Sequence, residues 1–182
     1  MSILRSMSVV IPARNEERLI GRCLTAVFDA VQYTRQEFTP HALTVEVIVV
    51  ADACHDATAQ LARDAGATVV SLDARNVGKA RATGADLALR RGVGPHAERW
   101  IANTDADSVV PRNWLLDQIA IASRGYDVMI GTVRPDFADL TKEQDAHTGI
   151  SERPCARCES RSTCRRLSRS RWLCPTVGVR RQ

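Results

Sequence analysis

The stretch WIANTDADSV, residues 100–109, places Asp105 and Asp107 one residue apart, directly after an apolar run. Two carboxylates this close repel each other unless a positive charge lies between them. In an extended segment, residues i and i+2 point the same way. A pair of oxygen donors on one side then suits a hard divalent cation such as Mg²⁺ or Mn²⁺. Magnesium is commonly held by one or two carboxylates together with a substrate's phosphates. The plain alternative is a turn in which Asp107 or Ser108 caps the helix expected near Pro111.

Three other stretches carry candidate chemistry. In VVADACHDAT (49–58), Asp52 stands just past a strand-like run, where it could accept hydrogen bonds from a base N–H or a ribose hydroxyl. Asp56 is read as a cap of the following helix. Cys54 and His55 lack a second Cys or His at a metal-ligand spacing. In DARNVGKARATG (73–84), Gly78, Lys79 and Arg81 open a helix, a combination that favours anions; the alternative is a solvated helix face. It is not a Walker A loop, because Asp73 stands where a Gly is required, and no G-x-G-x-x-G follows the first strand. In IPARNEE (11–17), Asn15 reads as a helix N-cap. Histidines at 41, 55, 96 and 147 accompany no recognisable nucleophile signature.

These loops need elements to position them. Short apolar runs at 7–12, 43–51, 67–72, 99–104 and 126–133 predict five strands. Between them, helical spacing predicts helices within 13–31, 56–66, 76–92 and 111–125, with Gly66 and Gly92 as stops and Pro111 in a first turn. Strand–helix alternation of this kind predicts an open, mostly parallel α/β sheet with helices on both faces. The strands are continuously apolar, as in a sheet covered on both sides. Ligands of such sheets bind at the carboxyl ends of strands, which directs attention to loops 12–16, 51–56, 73–79 and 103–111.

In order and spacing, VVIPARNEERLIGRCL, VEVIVVADACHDATAQLA, NVGKARATGADLAL and WIANTDADSVVPRNWL together resemble the family 2 glycosyltransferases, across roughly residues 7–135. The resemblance implies the Rossmann-like GT-A fold, with residues 1–145 as a domain binding a nucleotide-diphospho-sugar (a UDP-, GDP- or dTDP-sugar) and inverting transfer of the sugar to an unidentified acceptor. It implies that Pro12, Ala13, Asn15 or Glu16, and Asp52, contact the nucleotide. Gly78, Lys79 and Arg81 would approach the base and diphosphate. Asp107 would be the direct metal ligand, and Asp105 would reach the ribose or a metal-bound water. Ala51, Ala53, Thr83 and Gly84 depart from the family pattern of Asp-Asp, Gly and Asn-x-Gly. A nucleotidyltransferase is a rival, but PARNEER is not the Gly-rich loop that class shows after its first strand. A fragment that binds nucleotide without catalysis is another.

The composition divides in two. Nine Arg against two Glu give residues 151–182 a balance of +7, so the chain's +4 leaves −3 for residues 1–150. A mildly acidic folded part gives no expectation of nucleic-acid binding. No apolar run approaches the ~18 residues of a membrane span. The expected compartment is the cytoplasm, with contact to a membrane surface left open. Residues 146–182 are expected to be an irregular, disordered, basic tail with Cys155, Cys158, Cys164 and Cys174. The resemblance places the catalytic base, an Asp or Glu, later than the 75 residues left after Asp107. Glu143, Asp145 and Glu152 come too early. A zinc-binding tail and a lipid- or nucleic-acid-binding tail compete with a reading-frame shift near residues 145–150 of a GC-rich gene, which this composition favours. The frame shift predicts that the +1 or −1 frame beyond codon 145 encodes a family-like acceptor half. Translating both frames checks this, and failure of both discards it.

Overall fold

The computed structural model describes residues 4–37 and 43–133, and the backbone of 165–168 and 171–173. The chain divides into two compact units, Met1–Asp127 and Val128–Gln182. The first contains β1 (Ser6–Ala13), α1 (Ile20–Glu37), β2 (Thr44–Asp52), α2 (Thr58–Asp64), β3 (Thr68–Leu72), α3 (Val77–Arg91), a 3-10 turn (His96–Glu98), β4 (Arg99–Asn103) and α4 (Trp114–Ser123). The strands lie in the order β3-β2-β1-β4, all parallel. This is the open, parallel sheet with helices on both faces that the alternation predicts.

Side chains alternate across β1, and that alternation builds two cores. Met7, Val9 and Ile11 face α1, α2 and α4, meeting Ile20, Leu24, Val27, Leu115 and Ile119. Val10, with Ile48 and Val50 of β2, faces Ala80 and Ala88 of α3. Full burial of each Val, Leu or Ile contributes roughly 1.5–3 kcal/mol. Gly84 lets α3 approach closely, since a Cβ there would stand 2.4 Å from Val10 Cγ1 and 3.1 Å from Val50 Cγ2.

β1 continues one residue past its expected end at Pro12. A proline lacks the N–H that a central strand donates. Here it costs no ladder bond: β4 pairs only as far as Val10, opposite Asn103. Val10's carbonyl accepts from Thr104 N–H, so Pro12, of the same parity, turns its backbone to the side where β4 has ended.

Other expectations are corrected. Asn15 does not cap α1; it is left-handed, φ 55°, and its Oδ1 accepts from His55 N–H. Helix α1 starts only at Ile20, because Glu16 supplies the first helical carbonyl, to Ile20 N–H. Residues 126–133 form no strand; Val128, Ile130 and Val133 are exposed, and an apolar run without a ladder partner is not a strand. Pro111 precedes α4 instead of lying in its first turn. In the second unit, β5 (Arg165–Ser168) and β6 (Arg171–Leu173) pair antiparallel, with an irregularity between Arg166 and Ser168. The tail cysteines and the expected loop around 38–42 lie outside the described residues.

Gly84→Ala is expected to lower stability by about 1–3 kcal/mol through overpacking against Val10, despite alanine's better helix propensity. Urea denaturation of both proteins measures the difference.

Candidate functional site

Because all four strands are parallel, their carboxyl ends share one edge, and four connecting loops gather there. The strand order reverses between β1 and β4: β2 and β3 run outward to one side of β1, and β4 lies on the other. Such a switch point splays the adjoining loops into a crevice. β1 also projects three residues, Ile11 to Ala13, beyond the end of β4. The loop after β4 carries Asp105 and Asp107 into the space so left.

That loop is a β-turn, not the extended segment assumed from sequence. Ser108 N–H donates to the Asp105 carbonyl. Ala106 is buried at 3% exposure, and the two aspartates stand on either side of it with their carboxylates exposed or half-exposed. The thiol of Cys23, on α1, donates to the same Asp105 carbonyl at 3.4 Å. Burial, with the charges of Asp107 and Asp105, pushes that thiol up to about 11, so it stays protonated as a donor. Neither Asp107 nor Ser108 caps α4, whose N-cap is Asn113; Ser108 Oγ instead donates to Asp107 Oδ1 at 3.3 Å.

The positive charge beside Asp105 is Arg81 of α3, with Nη2 2.5 Å from Oδ1. Their side chains are 44% and 48% exposed, so the pair contributes roughly 0–1 kcal/mol and opens readily. Lys79 and Gly78 lie in the first turn of α3. The cap is Asn76, whose Oδ1 accepts from Lys79 N–H at 2.9 Å.

Asp52 is placed differently from a simple ligand contact. It is 3% exposed. Its Oδ1 accepts from Ala74 and Arg75 N–H at 2.7 and 2.9 Å, and Oδ2 from Asn76 N–H at 2.6 Å. Burial alone raises its pKa, but these three donors and the charge of Arg14 outweigh it and hold the carboxyl below its usual range. Asp52 thereby sets the entry of α3 and holds Arg75 at φ 50°. Ala53 is likewise left-handed, φ 52°. The left-handed non-glycine residues Asn15, Ala53 and Arg75 follow β1, β2 and β3 at this one edge, where strain is commonly stored near function.

Glu16 joins the acidic side. Its pKa is raised by burial, then by the charges of Asp107 and Asp56. Cys54, half-buried in the β2–α2 loop, donates to the Ala13 carbonyl at 3.4 Å. Pro12 and Ala13 are buried backbone at the tip of β1. Among the described residues, no three His, Cys, Asp or Glu side chains are grouped to hold a metal. Among the described residues the donor set is two carboxylates, which fits a cation completed by ligand oxygens and water.

The sequence from residue 8 to residue 179 matches glycosyl transferase family 2. The chain belongs to that family. A 4,4'-diaponeurosporenoate glycosyltransferase of Staphylococcus aureus is 37% identical over 107 residues, 57% of this chain and 24% of that protein. An undecaprenyl-phosphate 4-deoxy-4-formamido-L-arabinose transferase of Aeromonas hydrophila is 31% identical over 141 residues, 75% of this chain and 39% of its own length. The chain thus spans about a quarter to two-fifths of these relatives. The structure of S. aureus TarS 1–349 shares the fold, with TM-score 0.50 and 23% identity over 72% of this chain and 38% of that one; TarS 1–349 has also been solved with UDP-GlcNAc.

Two departures of this family 2 domain acquire physical content. A glycine is expected where Ala53 stands because the backbone there is left-handed. Gly84 is required by the close approach of α3 to β1. Nothing in the structure explains Ala51. The roles of Cys23 and Thr58 were not legible in the sequence, since their partners lie 82 and 42 residues away. Asn76 could have been found, as a capping residue three before Lys79.

Hydrogen bonds to Thr58 and Glu17 also hold Asp56 below its usual range, against the raising effect of burial. Carboxylates depressed on folding add stability that is complete above about pH 4 and lost as pH falls through the folded values. Glu16, raised, has the opposite sign: it costs stability above its folded value. Urea midpoints are therefore expected to fall steeply below about pH 4, and Asp52→Asn to flatten that slope.

Proposed function

We propose that this domain binds a nucleotide-diphospho-sugar at the crevice between β1 and β4, as the donor half of an inverting glycosyltransferase. The observation that carries the reading is the pairing of Asp105 with Arg81, beside the start of α3, on the turn that also holds Asp107 at the switch point of the sheet. Asp107 would hold Mg²⁺ or Mn²⁺, with Asp105 reaching the ribose or a metal-bound water. When bound, the cation would supply charge stabilisation for the diphosphate.

The chain's own groups supply the rest. Arg81 exchanges Asp105 for a phosphate oxygen or the base at little cost, because its ion pair is half-exposed. Lys79 and the N-terminus of α3 add positive potential beside it. Pro12, Ala13, Asn15 and Glu16 line the nucleotide side. Asp52 shapes that side from beneath; three of its roughly four acceptor positions are used, leaving one for a base N–H or ribose hydroxyl. In transfer, an acceptor oxygen would attack the anomeric carbon as its bond to the diphosphate breaks. The negative charge then gathers on the departing diphosphate, where these cations lie.

No described helix is long and apolar enough to cross a membrane. We place the domain's work in the cytoplasm or at a membrane surface.

Calorimetry with UDP-GlcNAc and with other UDP-, GDP- and dTDP-sugars, with and without Mn²⁺, tests the reading. Metal-dependent binding to one of them is expected, weakened more than about tenfold in Asp107→Ala, the loss of one charged contact. Binding of no nucleotide would sink the donor site. Sugar transfer or release in the same samples separates an enzyme from a fragment that only binds.

A further inference from the structure

In the loop that leads into α1, two backbone N–H groups are satisfied from the β2–α2 connection. Glu16 N–H donates to Thr58 Oγ1 at 2.8 Å, and Glu17 N–H to Asp56 Oδ2 at 3.1 Å. Thr58 is fully buried. Its hydroxyl donates to Asp56 Oδ1 at 2.5 Å, and Thr58 N–H donates to the same oxygen at 3.0 Å. The bonding also runs in reverse. Asn15 Oδ1 accepts from His55 N–H at 2.9 Å, and Glu17 Oε2 from Ala57 N–H at 3.1 Å. Each loop thus caps backbone donors of the other.

We infer that Thr58 and Asp56 are positioning residues for the donor site, fixing the Arg14–Glu17 loop in place through a clasp between the β1–α1 and β2–α2 connections. The inference rests on the donor-site reading above. Neither side chain needs to touch the ligand. The hydroxyl of Thr58 is the central link, because it is at once acceptor for Glu16 and donor to Asp56. A buried N–H without its acceptor cannot stay where it is without loss, so the loop moves to find water. Arg14, whose charge acts on Asp52, and Glu16, whose carboxyl feels Asp107, would move with it. Asp56 thus does more than cap α2, the local role its sequence position implies.

The test compares Thr58→Val, which keeps the shape and removes the hydroxyl, with Thr58→Ser, which keeps it. Val31→Ala, in the buried half of α1 away from this edge, controls for lost stability. Affinity for the Mn²⁺–UDP-sugar is read by calorimetry well below melting. Amide exchange of residues 14–17 is read without ligand. Thr58→Val is expected to bind about tenfold more weakly, with Thr58→Ser within roughly threefold of the parent, as one or two hydrogen bonds would dictate. Exchange at 14–17 is expected to quicken in Thr58→Val but not in Val31→Ala. Equal weakening in Thr58→Val and Val31→Ala, or unchanged exchange at 14–17, overturns the inference. If the parent binds no nucleotide, the donor reading fails, and exchange alone decides whether the clasp holds the loop. Should Thr58→Val not fold, Asp56→Ala takes its place with the same readouts, since Asp56 is only part-buried.

Discussion

β1 is hydrogen-bonded on both sides, to β2 along its whole length and to β4 over its first five residues, and all eight of its residues are buried. That unequal pairing governs the rest. Because β1 is central, the chain must wind outward through α1 and α2 on one face and return through α3 on the other. The return places β4 beside β1, and the reversal brings the loops after both strands to the carboxyl edge. Because β4 is shorter, the tip of β1 stands clear of it, and Pro12 is tolerated there. The turn with Asp105 and Asp107 fills the vacated place.

A second dependence hangs from one buried carboxylate. Asp52 gathers Ala74, Arg75 and Asn76 N–H groups, and Asn76 then caps α3. The direction of α3 decides where Arg81 reaches, and Arg81 reaches Asp105. A carboxylate at the end of β2 therefore influences a side chain on the loop after β4 without touching it. Gly84 contributes to the same outcome from below, by letting α3 settle against Val10 and Val50.

The electrostatics of the edge are balanced, not extreme. Glu16, Asp56, Asp105 and Asp107 are drawn together, and Arg14, Lys79 and Arg81 lie around them. The described residues hold one short ion pair across the crevice, half-exposed and weak. Strong pairing is reserved for the loop-holding groups: Asp52 is satisfied by backbone donors, and Asp56 by backbone donors and the Thr58 hydroxyl. Rigid loops with loosely held charges suit a site that must exchange partners with a ligand.

Much of this was legible in the residues themselves. Apolar runs and helical spacing determined four strands and four helices, and the parallel class followed from their alternation. The motif residues Pro12, Asn15, Asp52, Lys79, Arg81, Asp105 and Asp107 lie at or beside one edge, because every carboxyl end of a parallel sheet lies there. Their working partners were not legible. Periodicity reports which face of an element is buried, and capping rules report only neighbours within a few residues. Asn15 reads as a local cap because its actual partner, His55 N–H, lies in a loop forty residues on. The residues around Asp52 leave open whether it meets a ligand or a loop, and only the packed loop shows three N–H groups converging on it. The run 126–133 was read as a strand because apolarity is local and a ladder is not. The sequence by itself thus determined the elements and the chemistry on offer. Which groups meet was decided by the tertiary structure, since contacts between distant residues exist only once the sheet order brings their loops to one edge.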